Sequence, residues 1–116
     1  MPTKTVDKDV IENLKNLGGQ ELLVELFDVF ISSSQKLIVD INQAINQNNA
    51  KALQDNAHSL KSSCGNMGAA VMAELCLKLE KMGQANDLAQ AQATAELLGH
   101  EFKNVEAELK ALIFHD

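Results

Sequence analysis

Ala57-His58-Ser59-Leu60-Lys61-Ser62-Ser63-Cys64-Gly65-Asn66-Met67-Gly68-Ala69 is the stretch that decides how this chain folds. A helix turns about 100° per residue. At that pitch Leu53, Ala57, Leu60 and Cys64 share one face, spaced 4, 3 and 4 apart. His58, Lys61, Ser62 and Gly65 share another, at i, i+3, i+4 and i+7. The spacing predicts an amphipathic helix whose apolar side faces a core while a histidine stands outward. A plain surface needs neither the lone histidine nor the small residue beyond it. A site where a second protein brings an anion up to an imidazole needs both.

Working outward, the same period runs through the rest of the chain. Towards the N-terminus, Asp7 is placed to cap a short helix with Val10, Ile11, Leu14 and Leu17 on its buried side, ended by Gly18-Gly19. A long helix is expected over residues 20–47, with a seam of Leu23, Phe27, Phe30, Ser34, Leu37, Ile41 and Ala44. Glu21 and Glu25 suit the positive end of its dipole. The polar run Asn46-Gln47-Asn48-Asn49 reads as a turn, with Asn48 or Asn49 as the next cap. The helix carrying the motif is expected over 50–65. Gly65-Asn66-Met67-Gly68 follows as a tight connection, because its glycines and asparagine tolerate positive φ.

A further helix is expected over 69–82, with Met72, Leu75, Cys76 and Leu79 inward and Gly83 stopping it. Asp87 is placed to cap the last, over 88–114. The seam of that helix is Leu88, Ala91, Ala95, Leu98, Phe102, Val105, Leu109 and Leu112, spaced 3 and 4 in alternation. There is no convincing strand alternation, no repeat and no linker. Four long segments with short connections predict an all-α fold: an antiparallel up-down four-helix bundle with a short additional N-terminal helix, in one domain over 1–116.

At 116 residues the chain is long enough for a core of its own. Hydrophobic residues make up 46% but aromatics only 3%, so leucine, alanine and isoleucine build that core. The net charge of −6 argues against nucleic acid, which wants a basic footprint, and against an anionic membrane surface. No apolar run has the length of a membrane span, and Met1-Pro2-Thr3-Lys4-Thr5-Val6-Asp7 lacks the apolar segment of a signal peptide. Cys64 and Cys76 lie 12 apart and form no CxxC pattern, which fits two small buried residues in a reducing cytoplasm.

The central stretch resembles the signature of histidine-containing phosphotransfer (HPt) domains, roughly Ala-His-x-Leu-Lys-Gly-Ser-x-x-x-Leu-Gly-Ala. Ala57, His58, Leu60, Lys61, Ser63, Gly68 and Ala69 match it, Met67 is a conservative change, and Leu75-Cys76-x-x-Leu79-Glu80 extends the likeness. Ser62 departs from it, standing where many members carry glycine. The resemblance implies the same helical bundle. It also implies a relay: an aspartyl phosphate on the receiver domain of a hybrid sensor kinase passes its phosphoryl group to Nε2 of His58, and from there to a response regulator's receiver.

A histidine is partly neutral near pH 7, so a ring nitrogen can act as a nucleophile. In the implied relay Lys61 places a positive charge near the phosphoryl oxygens, and Ser62 is a hydrogen-bonding hydroxyl or ordinary surface. Gly65 leaves room for the partner and helps end the helix, while Gly68 serves mainly the turn. Glu80 either pairs with Lys61 or is an exposed glutamate. His100 and His115 match no motif and read as surface residues.

The sequence carries no Gly-rich nucleotide loop, no HExxH and no carboxylate-rich metal cluster. The expectation is therefore a phosphocarrier without its own kinase or ATP site, monomeric and cytoplasmic, with no cofactor. The Mg²⁺ that phosphoryl transfer uses is expected to come with the receiver.

Three other readings compete. The first is the phospho-accepting domain of a chemotaxis-type kinase; it takes its phosphoryl group from ATP, whereas this chain shows no kinase domain and starts at what reads as a native Met1. The second is a docking bundle without chemistry, which would be indifferent to loss of His58. The third is a haem or metal bundle, which His58, His100 and His115 support poorly because no two are i, i+4 apart.

Overall fold

The computed structural model describes residues 5–114. His115 and the first four residues of the segment read for a signal peptide lie outside them. The described residues form four helices: α1 Lys8–Asn46, α2 Ala50–Asn66, α3 Ala70–Gln84 and α4 Ala91–Ile113. α1 packs on α2 and α4, and α3 packs on the same two. Connections this short force each helix to return beside the last, so the four close into an antiparallel ring. Leu23, Ile41, Leu53, Leu60, Leu79, Leu98 and Leu109 fill its centre with almost no exposed surface. Each such side chain contributes about 1.5–3 kcal/mol when taken out of water.

The expected short N-terminal helix is the first limb of α1. Asp7 caps it, its carboxylate accepting from the Asp9 amide at 3.0 Å. Gly19 then breaks the helical path at φ 73°, ψ −167°, a conformation that strains any residue with a Cβ. The limb crosses the end of the bundle, burying Val6 and Ile11. The Asp7 amide donates to the Gly68 carbonyl at 2.9 Å and ties the limb to the α2–α3 turn.

Leu17 is a correction, because it is 80% exposed rather than buried. Each i+3 step rotates about 60° back around the helix. By Leu17 the stripe that began at Ile11 has turned away from the bundle.

The α1–α2 turn uses both asparagines. Asn48 takes the left-handed conformation at φ 54°, and the Asn49 side chain caps α2 by accepting from the Ala52 amide at 3.1 Å. In the α2–α3 turn only Gly68 is left-handed, at φ 74°; Gly65 stays within α2. Gly83 does not stop α3 either, since the helix runs on to Gln84 and Asn86 closes the end at φ 53°. α4 begins later than expected. Asp87 caps the turn before it, accepting from the Ala89 amide at 3.4 Å, and the helix starts at Ala91 with no side-chain cap. The α4 seam is buried as predicted from Ala91 to Leu109, and Phe102 meets Phe30 of α1 with ring centres 6.5 Å apart.

Candidate functional site

α2 carries His58 outward because its four buried positions, Leu53, Ala57, Leu60 and Cys64, take the opposite face. The imidazole is 61% exposed. Beneath it lies Glu80 of α3, whose side chain is only 11% exposed. Glu80 sits on the inward stripe of α3 with Met72, Cys76, Leu79 and Gly83. A carboxylate in that position needs polar partners, and it has two. One oxygen lies 2.9 Å from Nδ1 of His58. The other accepts from Nζ of Lys61 at 2.7 Å.

These two contacts define the state of the histidine. An ionised carboxylate only accepts, so Nδ1 carries the proton in the hydrogen bond. In the neutral ring the lone pair is then on Nε2, the far nitrogen of an exposed imidazole. Lys61 chiefly, and His58 after it, hold the Glu80 carboxyl below its ordinary value of 4.5, against the opposing effect of burial.

A carboxylate whose value is lowered on folding stabilises the protein above its unfolded value, and that contribution disappears as pH falls through the folded value. The melting advantage of the wild type over Glu80→Gln should therefore shrink as the solution is acidified below the ordinary carboxylate range. Parallel thermal melts of the two proteins from neutral to acid pH check this. An advantage that grows on acidification would contradict the ion pair.

The remaining predicted residues fall out differently. The Ser62 hydroxyl donates to the backbone carbonyl of His58 at 3.3 Å, so its one proton points along its own helix. Gly65 is exposed, and a Cβ built on it meets nothing within 4 Å. Its carbonyl accepts from the Gly68 amide at 3.2 Å in the turn, but its backbone stays helical, so no left-handed φ calls for a glycine there, and the missing side chain leaves open space two turns beyond His58. Gly68 is buried, with a Cβ position 3.0 Å from Val10, so its smallness serves the N-terminal limb and not a partner.

His100 is exposed, as expected. Cys64 and Cys76 are both free and buried. Their mutual hydrogen bonding and their burial push the Cys64 thiol well up, which makes it an inert packing residue. The resemblance put Glu80 near the histidine or lysine, and the structure adds that it meets both, with one oxygen on Nδ1. The signal for that link was an acid four residues after Cys76, on a stripe otherwise apolar.

The Hpt domain family model matches residues 25–112, which include α2, α3 and the whole His58–Glu80–Lys61 cluster. This chain belongs to the Hpt domain family. The phosphorelay protein LuxU of Vibrio harveyi is 27% identical to this Hpt protein over 99 residues, covering 84% of this chain and 87% of LuxU. The crystal structure of histidine-containing phosphotransfer protein B (HptB) from Pseudomonas aeruginosa PAO1 superposes with a TM-score of 0.91. It is 29% identical, and the match covers 99% of both chains. The Hpt protein described here is thus a histidine phosphotransfer intermediate of a phosphorelay, and its partners are receiver proteins of such relays.

Proposed function

We propose that Nε2 of His58 is the phosphoryl acceptor, taking the group from an aspartyl phosphate on one receiver and giving it to the aspartate of another. The hydrogen bond from Nδ1 to Glu80 carries this reading, because it presents the Nε2 lone pair to the incoming phosphorus. The lone pair forms the N–P bond as the P–O bond to the aspartate breaks, and that bond's electrons leave on the aspartate carboxylate. Positive charge spreads over the ring to Nδ1–H, where Glu80 faces it. In the onward step the second aspartate attacks phosphorus, the N–P bond breaks, and its electrons return to Nε2. Nothing in this cycle draws on ATP bound by the chain, which acts as a carrier and not as a kinase.

Glu80 has both oxygens engaged by His58 and Lys61. It is thereby unsuited to hold a metal, and Mg²⁺ for the transfer is assigned to the receiver. The reading places the protein, as a monomer, in the cytoplasm. No helix among the described residues is long and apolar enough to cross a membrane. Incubation with a set of purified, phosphorylated receiver domains tests the proposal. Radiolabel should move to this chain from at least one of them and onward to a second; failure across a complete set of receivers from the same cell would sink it.

Lys61 stands one turn from His58 and is anchored by Glu80. The reading assigns its charge to the phosphoryl oxygens arriving one turn away. Lys61→Ala should slow transfer roughly tenfold to a hundredfold, the loss of about 1.5–3 kcal/mol of charged hydrogen bonding in the transition state. Lys61→Arg should recover part of that. Stopped-flow transfer rates alongside melting curves separate this from unfolding, and equal rates for wild type and Lys61→Ala would reduce the lysine to a tether for Glu80.

A further inference from the structure

We propose that Gly83 is a positioning residue for phosphotransfer: its missing side chain sets how closely α3 lies on α2, and that separation keeps Glu80 on Nδ1 of His58. The proposal rests on the reading of His58 as acceptor. Gly83 is buried inside α3 at an ordinary helical φ, so no left-handed backbone calls for a glycine there. Glycine inside a helix is unfavourable relative to alanine, which leaves close approach as the reason for its presence.

A Cβ on Gly83 falls 2.7 Å from the Ala50 carbonyl oxygen, 2.7 Å from the Gln54 amide nitrogen and 2.9 Å from the Gln54 Cβ. The first two atoms are the acceptor and donor of an i→i+4 pair in the first turn of α2. They cannot yield without opening that turn, so α3 has to move instead. Gln54 lies one turn before His58 on α2, and Glu80 lies one turn before Gly83 on α3. In an antiparallel pair these are successive rungs, about 4.5 to 6 Å apart along the axis. A helix is stiff over one turn. A shift of several tenths of an ångström at Gly83 therefore reaches Glu80, whose bonds measure 2.9 Å to Nδ1 and 2.7 Å to Nζ. The carboxylate keeps its shorter bond, the one to the lysine ammonium, and the imidazole loses its partner.

Gly99 supplies the control. It also sits inside a helix, α4, but a Cβ there meets nothing within 4 Å. Gly99→Ala adds helix propensity without a clash, and serves as the background in which Gly83→Ala is made, so that the bundle keeps a margin against melting. The readouts are the ¹⁵N shifts of the His58 imidazole, which report which nitrogen carries the proton, and the rate of phosphorylation by phosphoramidate.

Gly99→Ala alone should show the Nδ1-protonated neutral ring and a wild-type rate. Adding Gly83→Ala should move the proton towards Nε2 and slow phosphorylation about tenfold with helicity retained, the scale on which small misplacements act. Glu80→Asp withdraws the carboxylate by one methylene without touching the Gly83 contact, and should reproduce the tautomer shift. The proposal is overturned if folded Gly83→Ala keeps both tautomer and rate, or if Glu80→Asp keeps the Nδ1 proton. It also falls if the wild-type ring is protonated on Nε2. The acceptor reading stands apart from all three outcomes, because it is decided by whether His58→Gln still takes up phosphate.

Discussion

His58→Gln should abolish phosphorylation of this protein while leaving its helicity and melting close to those of the wild type. The imidazole is 61% exposed and packs into no core, so little burial is lost with it. Glutamine still offers an amide donor towards Glu80, which limits the disturbance beneath. What disappears is the nucleophile, since an amide nitrogen has no available lone pair. Mass spectrometry after incubation with a phosphorylated receiver is the direct check. In the wild type the added phosphate should be acid-labile and alkali-stable, as a phosphoramidate is; a label with the opposite behaviour, or one that persists on the variant, would place the acceptor elsewhere.

The second large effect is expected at Gly65. This residue lies on the His58 stripe, its Cβ position faces open space, and its φ is not left-handed. Gly65→Arg should therefore leave the fold intact and even stabilise α2 by about 0.5–1 kcal/mol, because a helical glycine is replaced by a helix former. Transfer from a receiver should fall roughly tenfold to a hundredfold. A close-packed interface accommodates an inserted side chain only at a cost of about 1–3 kcal/mol or more. The surface beside Gly65, where Ala70, Ala73 and Leu77 lie between Lys61 and Glu74, is shallow and mostly apolar, which suits a docked partner.

Phosphorylation by phosphoramidate should change little, because a small donor has no such footprint, and Gly65→Ala should be mild in both assays. The decisive comparison is the ratio of receiver-driven to phosphoramidate-driven rates. If folded Gly65→Arg keeps the wild-type ratio, partners approach His58 from another side.

The helical frame, and the places of His58 and Lys61 one turn apart on its exposed face, were legible before any coordinates. Periodicity carries that much, because a residue's face on a helix depends only on its own element. Asn49 as a cap and the α4 seam followed for the same reason. The misreadings concern glycines, Leu17 and the start of α4, and those at the glycines share a cause. Glycine is used where the chain turns left-handed and also where another backbone comes close, and the letter alone does not separate these uses. Gly68 is left-handed, Gly83 is a close approach and Gly65 is neither. Leu17 failed because an N-terminal limb laid across a bundle buries only part of the stripe it carries.

The sequence by itself determined an all-helical bundle, its four amphipathic faces, and a histidine and a lysine one turn apart on the exposed side of the third segment read from it. Only the tertiary structure decided what stands behind that histidine. Glu80 is 22 residues away along the chain, on another helix, and reaches Nδ1 because α2 and α3 pack antiparallel in one particular register. Register and separation depend on which side chains interdigitate between two helices, and at Gly83 on the absence of one. Those are pairwise properties of surfaces. A local period encodes which face a residue occupies, but not which residue of another helix will lie across from it.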